Sequence, residues 1–344
     1  MTRMTSRVLH HTRTLATTST GATPPQRDGD DRLASSLDAR FDELSKAHSP
    51  IEKRRRLTAE EEQDLILDGP GTRAMPQAPR LGEAYDTAAA AALVLAHGLC
   101  HFPGALDRAA AATLREHVDR VLDESKRRVA AGGVDSSRGA KGGVPYGRLF
   151  GPVMARADRY DVLLPLDELV LSTIRPILSS VEPAMRQLVG QDAYLCELSA
   201  LISDPGAVAQ PLHHDTSFDG CPPRVSLLVA LQDVEANMGP TLFFPGTNTP
   251  EWHIRYLMRG HDLEGLLDGT RHCSGMLRAG DAVLYDTHLL HCASGAEDSP
   301  RRRTLLTLSA QEETMDNRGE QANIRRGYRE TLQLRGLAGW EAKE

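Results

Sequence analysis

Long apolar runs are missing from this 344-residue chain. None approaches the roughly 20 residues that a membrane-spanning helix needs. No membrane span is expected, and the alanine-rich stretch Ala88–Leu95 reads as a buried helix. Cysteine is scarce and scattered: Cys100, Cys196, Cys221, Cys273 and Cys292, with no CxxC pair. This argues against a disulfide scaffold and a structural zinc site, and a reducing, intracellular compartment is the simpler reading. Aromatics are only 4% of the residues, so the core must be built from Leu, Val and Ala, and no stacking platform stands out. A surplus of positive charge is also absent. The net charge is −7 and the pI about 6.0, which argues against a nucleic-acid partner or an anionic membrane surface. The one early basic run, Lys53-Arg54-Arg55-Arg56, is followed by Glu60-Glu61-Glu62 and reads as a solvated charged segment. Acidic residues are missing before Asp28, whereas Arg3, Arg7, Arg13 and Arg27 stand among many Ser and Thr. That composition fits a transit peptide as well as a plain disordered tail. The chain is thus placed in the cytoplasm or, with a transit peptide, in a mitochondrion or plastid.

The size suits one domain of roughly 250 residues plus a leader. We expect residues 1–80 to be tail and linker, with a charged helix near 47–67. A single domain over 81–330 and a C-terminal tail over 331–344 follow. Asp86 and Asp107 are placed to cap helices over 87–94 and 108–129, with a short strand over 98–102 between them. Residues 131–144 are glycine-rich and read as a loop. Residues 167–188 read as a helix interrupted near Pro176 and Pro183. From residue 193 short apolar runs alternate with turn residues. Strands are predicted over 194–202, 224–231, 241–244, 275–277, 282–285 and 304–309. The fold class is mostly β with flanking helices (α+β). The best match is a double-sheet jelly roll, cupin-like, with an N-terminal helical segment and its core over 193–312.

Two His and one carboxylate, presented on one face, leave positions on a non-haem Fe(II) open for co-substrate and dioxygen. His213 and Asp215 are two apart, and in an extended segment they point to the same side, with His214 turned away. His117 and Asp119 have the same spacing but lie in a helical pattern, where such residues diverge by about 200°. A second His must come from a later strand. His253, His261, His272, His288 and His291 are available. His291 lies just past the turn-and-strand run Gly280–Asp286, and His288 is its runner-up. Arg301, Arg302 and Arg303 open the last predicted strand, where a guanidinium can clamp a carboxylate such as that of 2-oxoglutarate. Alternation sets Arg302 opposite Arg301 and Arg303.

These blocks resemble the phytanoyl-CoA dioxygenase family. Pro211-Leu212-His213-His214-Asp215 is similar to its P-x-H-x-D strand end. Asn237–Thr241 with Pro245-Gly246-Thr247 is similar to its N-G…P-G-[ST] block. Gly280-Asp281, Tyr285-Asp286, His291, Ser299 and Arg302 are similar to its G-D…[FY]-D…H…S…R block. The resemblance implies a double-stranded β-helix, iron at His213, Asp215 and His291, and Arg302 as the co-substrate arginine, with Arg303 as the alternative. It also implies a basic residue from before the barrel, for which Arg148 is suitably offset. Thr241 belongs to the block beside the co-substrate.

The chain departs from the family pattern at Asn248, Ala293 and Leu228. Asp215 favours hydroxylation, because halogenating relatives have a small residue there. The implied protein is an Fe(II)/2-oxoglutarate-dependent dioxygenase that hydroxylates a small organic or acyl substrate and forms succinate, with ascorbate as a supporting reductant. The alternatives are a jelly-roll binding protein with a vestigial metal site, or a metal-dependent oxygenase or isomerase that does not use 2-oxoglutarate. Residues 131–144 and 253–271 are candidate lids.

Overall fold

A computed structural model of the chain describes residues 73–132, 149–153, 158–218, 223–258, 270–296, 299–312, 323–325, 328 and 332–334. The leader, the helix expected over 47–67, most of the 131–144 loop and Arg148 lie outside the described residues.

A two-residue pair, β1 (Arg80–Leu81) and β2 (Ala84–Tyr85), precedes α1 (Thr87–His97). Asp86 caps α1 by accepting from the Ala89 N–H. The helix stops at Gly98, whose φ of 82° allows its N–H to reach the Val94 carbonyl. A side chain at 98 would also collide with Leu289, since a Cβ there would lie 2.4 Å from its Cδ1. β3 (Leu99–Phe102) and α2 (Arg108–Ala130, capped by Asp107) follow. β4 (Arg159–Leu163) was not expected from the sequence. Its charged residues face inward, against the usual polarity of a strand.

α3 (Glu168–Val189) runs unbroken through Pro176 and Pro183. Each proline deletes one backbone hydrogen bond and costs about 3 kcal/mol in a helix interior. Leu171, Ile174, Ile177, Leu178 and Val181 are all buried on one face. At about 1.5–3 kcal/mol each, their burial offsets the two losses, so the expected interruption does not occur.

The remaining strands are β5 (Tyr194–Ser203), β6 (Arg224–Ala230), β7 (Thr241–Phe243), β8 (Cys273–Ser274), β9 (Ala282–Asp286), β10 (His291–Ala293) and β11 (Arg303–Gln311). β8 lies just before the strand expected over 275–277. A helix, α4 (Pro250–Met258), occupies the start of the second expected lid.

Two antiparallel sheets form the double-stranded β-helix. The larger has the order β3-β9-β6-β11-β5-β4, and the smaller β10-β7-β8. His213 extends the smaller sheet by bridging to His291. One apolar core lies between the large sheet and the helices, with Leu198, Leu227, Leu284, Leu306 and Leu308 on the strand side. A second lies between the sheets, around Leu228, Phe243, Val283, Tyr285 and Leu305. A third, with Leu242, Leu290 and Cys292, is covered by Trp252 and Tyr256 of α4.

The inner face of the large sheet is unusually polar. Register places Arg159, Ser203 and Arg303 in one cross-strand row at one end. Toward the other end Glu197, Ser309, Ser226 and Tyr285 form a second row. Gln311 and Arg224 lie beyond it.

Candidate metal centre

His213 and His291 exchange both backbone hydrogen bonds, at 2.9 and 2.8 Å. Such a reciprocal pair sets two side chains on one face of a sheet. Their rings are 4.4 Å apart by centroid. The His213 Nδ1 lies 2.8 Å from the Pro211 carbonyl and the His291 Nδ1 2.9 Å from the Leu289 carbonyl. A carbonyl can only accept, so each Nδ1 carries the proton and each Nε2 presents a lone pair. Both Nε2 atoms face Asp215 Oδ1, at 3.7 and 3.6 Å. The three ligand atoms all lie within 4.8 Å of one another.

Asp215 is positioned from two sides. Its N–H donates to the Thr287 carbonyl at 2.9 Å, and the Tyr285 hydroxyl donates to its Oδ2 at 2.9 Å. Burial and the charges of Asp215 and Glu197 hold the Tyr285 hydroxyl well above its ordinary pKa, so it remains a donor. Burial pushes the Asp215 carboxyl up, but His291, His213, the Tyr285 hydroxyl and Arg224 outweigh it and leave the pKa below its usual value. Burial, the neighbouring His291 and Arg159 pull His213 down to about 4. Two imidazoles that commit Nδ1 to a carbonyl and turn Nε2 to a common point, beside an ionised carboxylate, match the donor set of a divalent iron site. Asp215 keeps 35% of its side chain accessible, an open side for further ligands.

Other histidines are placed elsewhere. His214 turns to the opposite side, against His253 and Tyr256. His288 binds Asp286 through Nδ1 at 2.8 Å and stacks on Phe218. His117 and Asp119 are separated on α2; the first meets Asp167, the second Arg302.

The two adjacent arginines point to opposite faces of β11. Arg302 does not enter the barrel. It binds Asp119 at 2.6 Å and Asp204 on the outside. Arg303 points inward, is 3% exposed, and donates to the Gly239 carbonyl and the Ser203 hydroxyl. The reason is register: Arg303 pairs with Ser203 of β5, and a shift of one residue along a strand reverses the face.

Arg159, missed in the sequence, meets Arg303 at the shared Ser203 hydroxyl and also donates to the Val208 and Ser294 carbonyls. Burial and the neighbouring Arg159 charge pull the Arg303 pKa down to about 9. Two buried guanidiniums side by side, with Arg303 Nε lacking a partner, form a site for an anion. The alternation in Arg159-Tyr160-Asp161-Val162-Leu163 was the available signal for β4. Thr241 is buried at the start of β7, opposite Ala293 and on the same face as Phe243, whose ring lies against His291.

At the other end of the barrel Arg224 binds Glu197 at 3.1 Å. Ser309 donates to Glu197, and Ser226 and Ser309 share a hydrogen bond of 2.6 Å. This polar network was also not anticipated. Its residues are spread over three strands and meet only through sheet register.

A sequence model described as phytanoyl-CoA dioxygenase (PhyH) matches residues 95–305. No curated protein matches the chain. Similar solved structures include the non-haem α-ketoglutarate-dependent carbocyclase SnoK from nogalamycin biosynthesis. It is 18% identical, with a TM-score of 0.45 over 65% of this chain and 83% of that one. The α-ketoglutarate-dependent epimerase SnoN from nogalamycin biosynthesis is 20% identical, with a TM-score of 0.44 over 66% and 83%. A Pseudomonas putida prolyl-4-hydroxylase is 17% identical, with a TM-score of 0.42 over 66% and 100%.

Proposed function

The chain belongs to the phytanoyl-CoA dioxygenase family, and from that premise we propose that it is an Fe(II)/2-oxoglutarate-dependent dioxygenase that hydroxylates a small organic or acyl substrate. The observation that carries this reading is the convergence of His213 Nε2, His291 Nε2 and Asp215 Oδ1, with both Nδ1 atoms committed to carbonyls. His213, Asp215 and His291 would hold the iron. The buried pair Arg303 and Arg159 would take the distal carboxylate of 2-oxoglutarate, in place of Arg302. When bound, iron and 2-oxoglutarate supply dioxygen-dependent oxidation of the substrate, with release of succinate and carbon dioxide.

The protein's own part is geometry and charge. The Pro211 and Leu289 carbonyls fix the two imidazole tautomers. Tyr285 holds Asp215 in one rotamer and removes one of its lone pairs from competition. Phe243, Leu228 and Val283 put apolar surface between the sheets. Asp215, a carboxylate rather than a small residue, favours transfer of hydroxyl over transfer of a halide.

The test is succinate formation by the full chain on addition of Fe(II), ascorbate and 2-oxoglutarate, together with iron binding by equilibrium dialysis. Wild type is expected to bind iron and form succinate, and Asp215→Ala to lose both. Iron binding that survives unchanged in Asp215→Ala rejects the site.

A further inference from the structure

Asp161 is a carboxylate that the assigned machinery does not use. It is 1% exposed, and neither of its oxygens has a hydrogen-bond partner. It lies on β4 two residues after Arg159 and pairs in register with Leu201, whose side chain packs into the core between the sheets. Its carboxylate therefore faces the barrel interior, displaced from Arg159 by about 6.5 Å of strand rise.

The surroundings make room for this group without satisfying it. Gly151 lies directly across from Asp161, and a Cβ at 151 would fall 1.9 Å from Asp161 Oδ2. Only glycine leaves space for the carboxylate in this orientation. Two polar groups nearby are already engaged with Glu197. Arg224 is bound to Glu197, and the Ser199 hydroxyl donates to Glu197 at 3.4 Å. Burial and the Glu197 charge push the Asp161 carboxyl well above the usual range, opposed less strongly by the hydrogen-bonding influence of the Ser199 hydroxyl and by the Arg224 charge. A dry carboxylate with so little compensation is costly, and a cation that brings its own N–H groups relieves that cost.

We propose that Asp161 is a substrate-recognition residue and that the substrate carries a protonated amine that docks on it. This rests on the oxygenase reading and gives its substrate a charge class. The inner face of β4 would then sort charge along one strand. Arg159 faces the co-substrate's anionic end, and Asp161 faces the substrate's cationic end.

The experiment is calorimetric titration of the full chain, loaded with Fe(II) and 2-oxoglutarate without oxygen. The probes are n-butylammonium, n-butanol and n-butyrate. The visible charge-transfer absorption of the iron–2-oxoglutarate complex in wild type is recorded first. Its absence rejects the oxygenase reading, whatever Asp161 does. With that absorption present, n-butylammonium is expected to bind, n-butanol to bind roughly ten- to a hundredfold more weakly, and n-butyrate more weakly still. Asp161→Asn keeps the shape, removes the charge, and is expected to bind n-butylammonium no better than n-butanol. Equal affinity of the wild type for the ammonium and the alcohol overturns the proposal. So does an ammonium preference that persists in folded Asp161→Asn. The wild-type comparison decides the matter even if the variant does not fold.

Discussion

Exchange of the two adjacent arginines tests the co-substrate site most directly. Arg303 is buried, and its fork already spends two donors on Gly239 and Ser203. The Nε donor is left for an incoming anion. A hydrogen bond between ionised groups contributes about 1.5–3 kcal/mol. Its loss in Arg303→Ala should weaken 2-oxoglutarate binding by roughly 10- to 150-fold. Arg303→Lys keeps the charge but loses the planar fork, and should fall between.

Arg302 is different. It keeps 32% of its side chain exposed, with Asp119 at 41% and Asp204 at 20%. Ion pairs that wet are worth about 0–1 kcal/mol each. Arg302→Ala should therefore cost at most ~2 kcal/mol of stability and leave 2-oxoglutarate affinity unchanged. The assay is anaerobic titration of 2-oxoglutarate into iron-loaded protein, with affinity expressed per folded chain and urea unfolding run alongside. If Arg302→Ala loses the co-substrate and Arg303→Ala keeps it, the inward assignment of β11 is wrong.

Three further outcomes follow from the same geometry. Tyr285→Phe removes the hydroxyl on Asp215 Oδ2 and should weaken iron binding by roughly 10- to 100-fold; unchanged affinity in a dialysis assay would show that the contact does no orienting. Gly280→Ala should destabilise the fold by several kcal/mol, on the order of 4, because φ is 89° and a Cβ would lie 2.0 Å from the Leu106 carbonyl oxygen; a melting temperature equal to wild type would contradict this. Asp281 accepts from the Gly104 and Arg278 N–H groups and meets His101 Nε2 at 3.2 Å. Burial raises its carboxyl pKa, but these donors outweigh burial and leave it below its ordinary value. A depressed carboxylate adds stability above its unfolded pKa of about 3.9 and loses it as pH falls through the folded value. The stability gap between wild type and Asp281→Asn should accordingly be largest near neutral pH and close below about pH 4; a gap that widens on acidification would refute the sign.

The helix caps at Asp86 and Asp107 were legible because capping is local: a short acceptor precedes a run of helix formers and meets N–H groups two or three residues on. Strands β5, β6, β7, β9 and β11 were legible as short apolar runs between turn residues, whereas β8 fell just before its expected place and β10 was not expected. The helical gaps expected at Pro176 and Pro183 were not found, because burial of a whole helix face is a tertiary term that no local rule contains. β4 was missed because its charged residues face a polar barrel interior.

The sequence alone determined a mostly β jelly roll after a helical segment, and it carried the spacing that joins His213 to Asp215 and leads on to His291. These depend on strand period and on chain order, which are properties of the string. It could say that Arg302 and Arg303 lie on opposite faces, but not which face is inside. Pairing of Arg303 with Ser203 decided that, and it also brought Arg159 from β4 and Asp161 beside it into the same interior. Alternation is local, but the choice between its two faces depends on the register against a partner strand a hundred residues away.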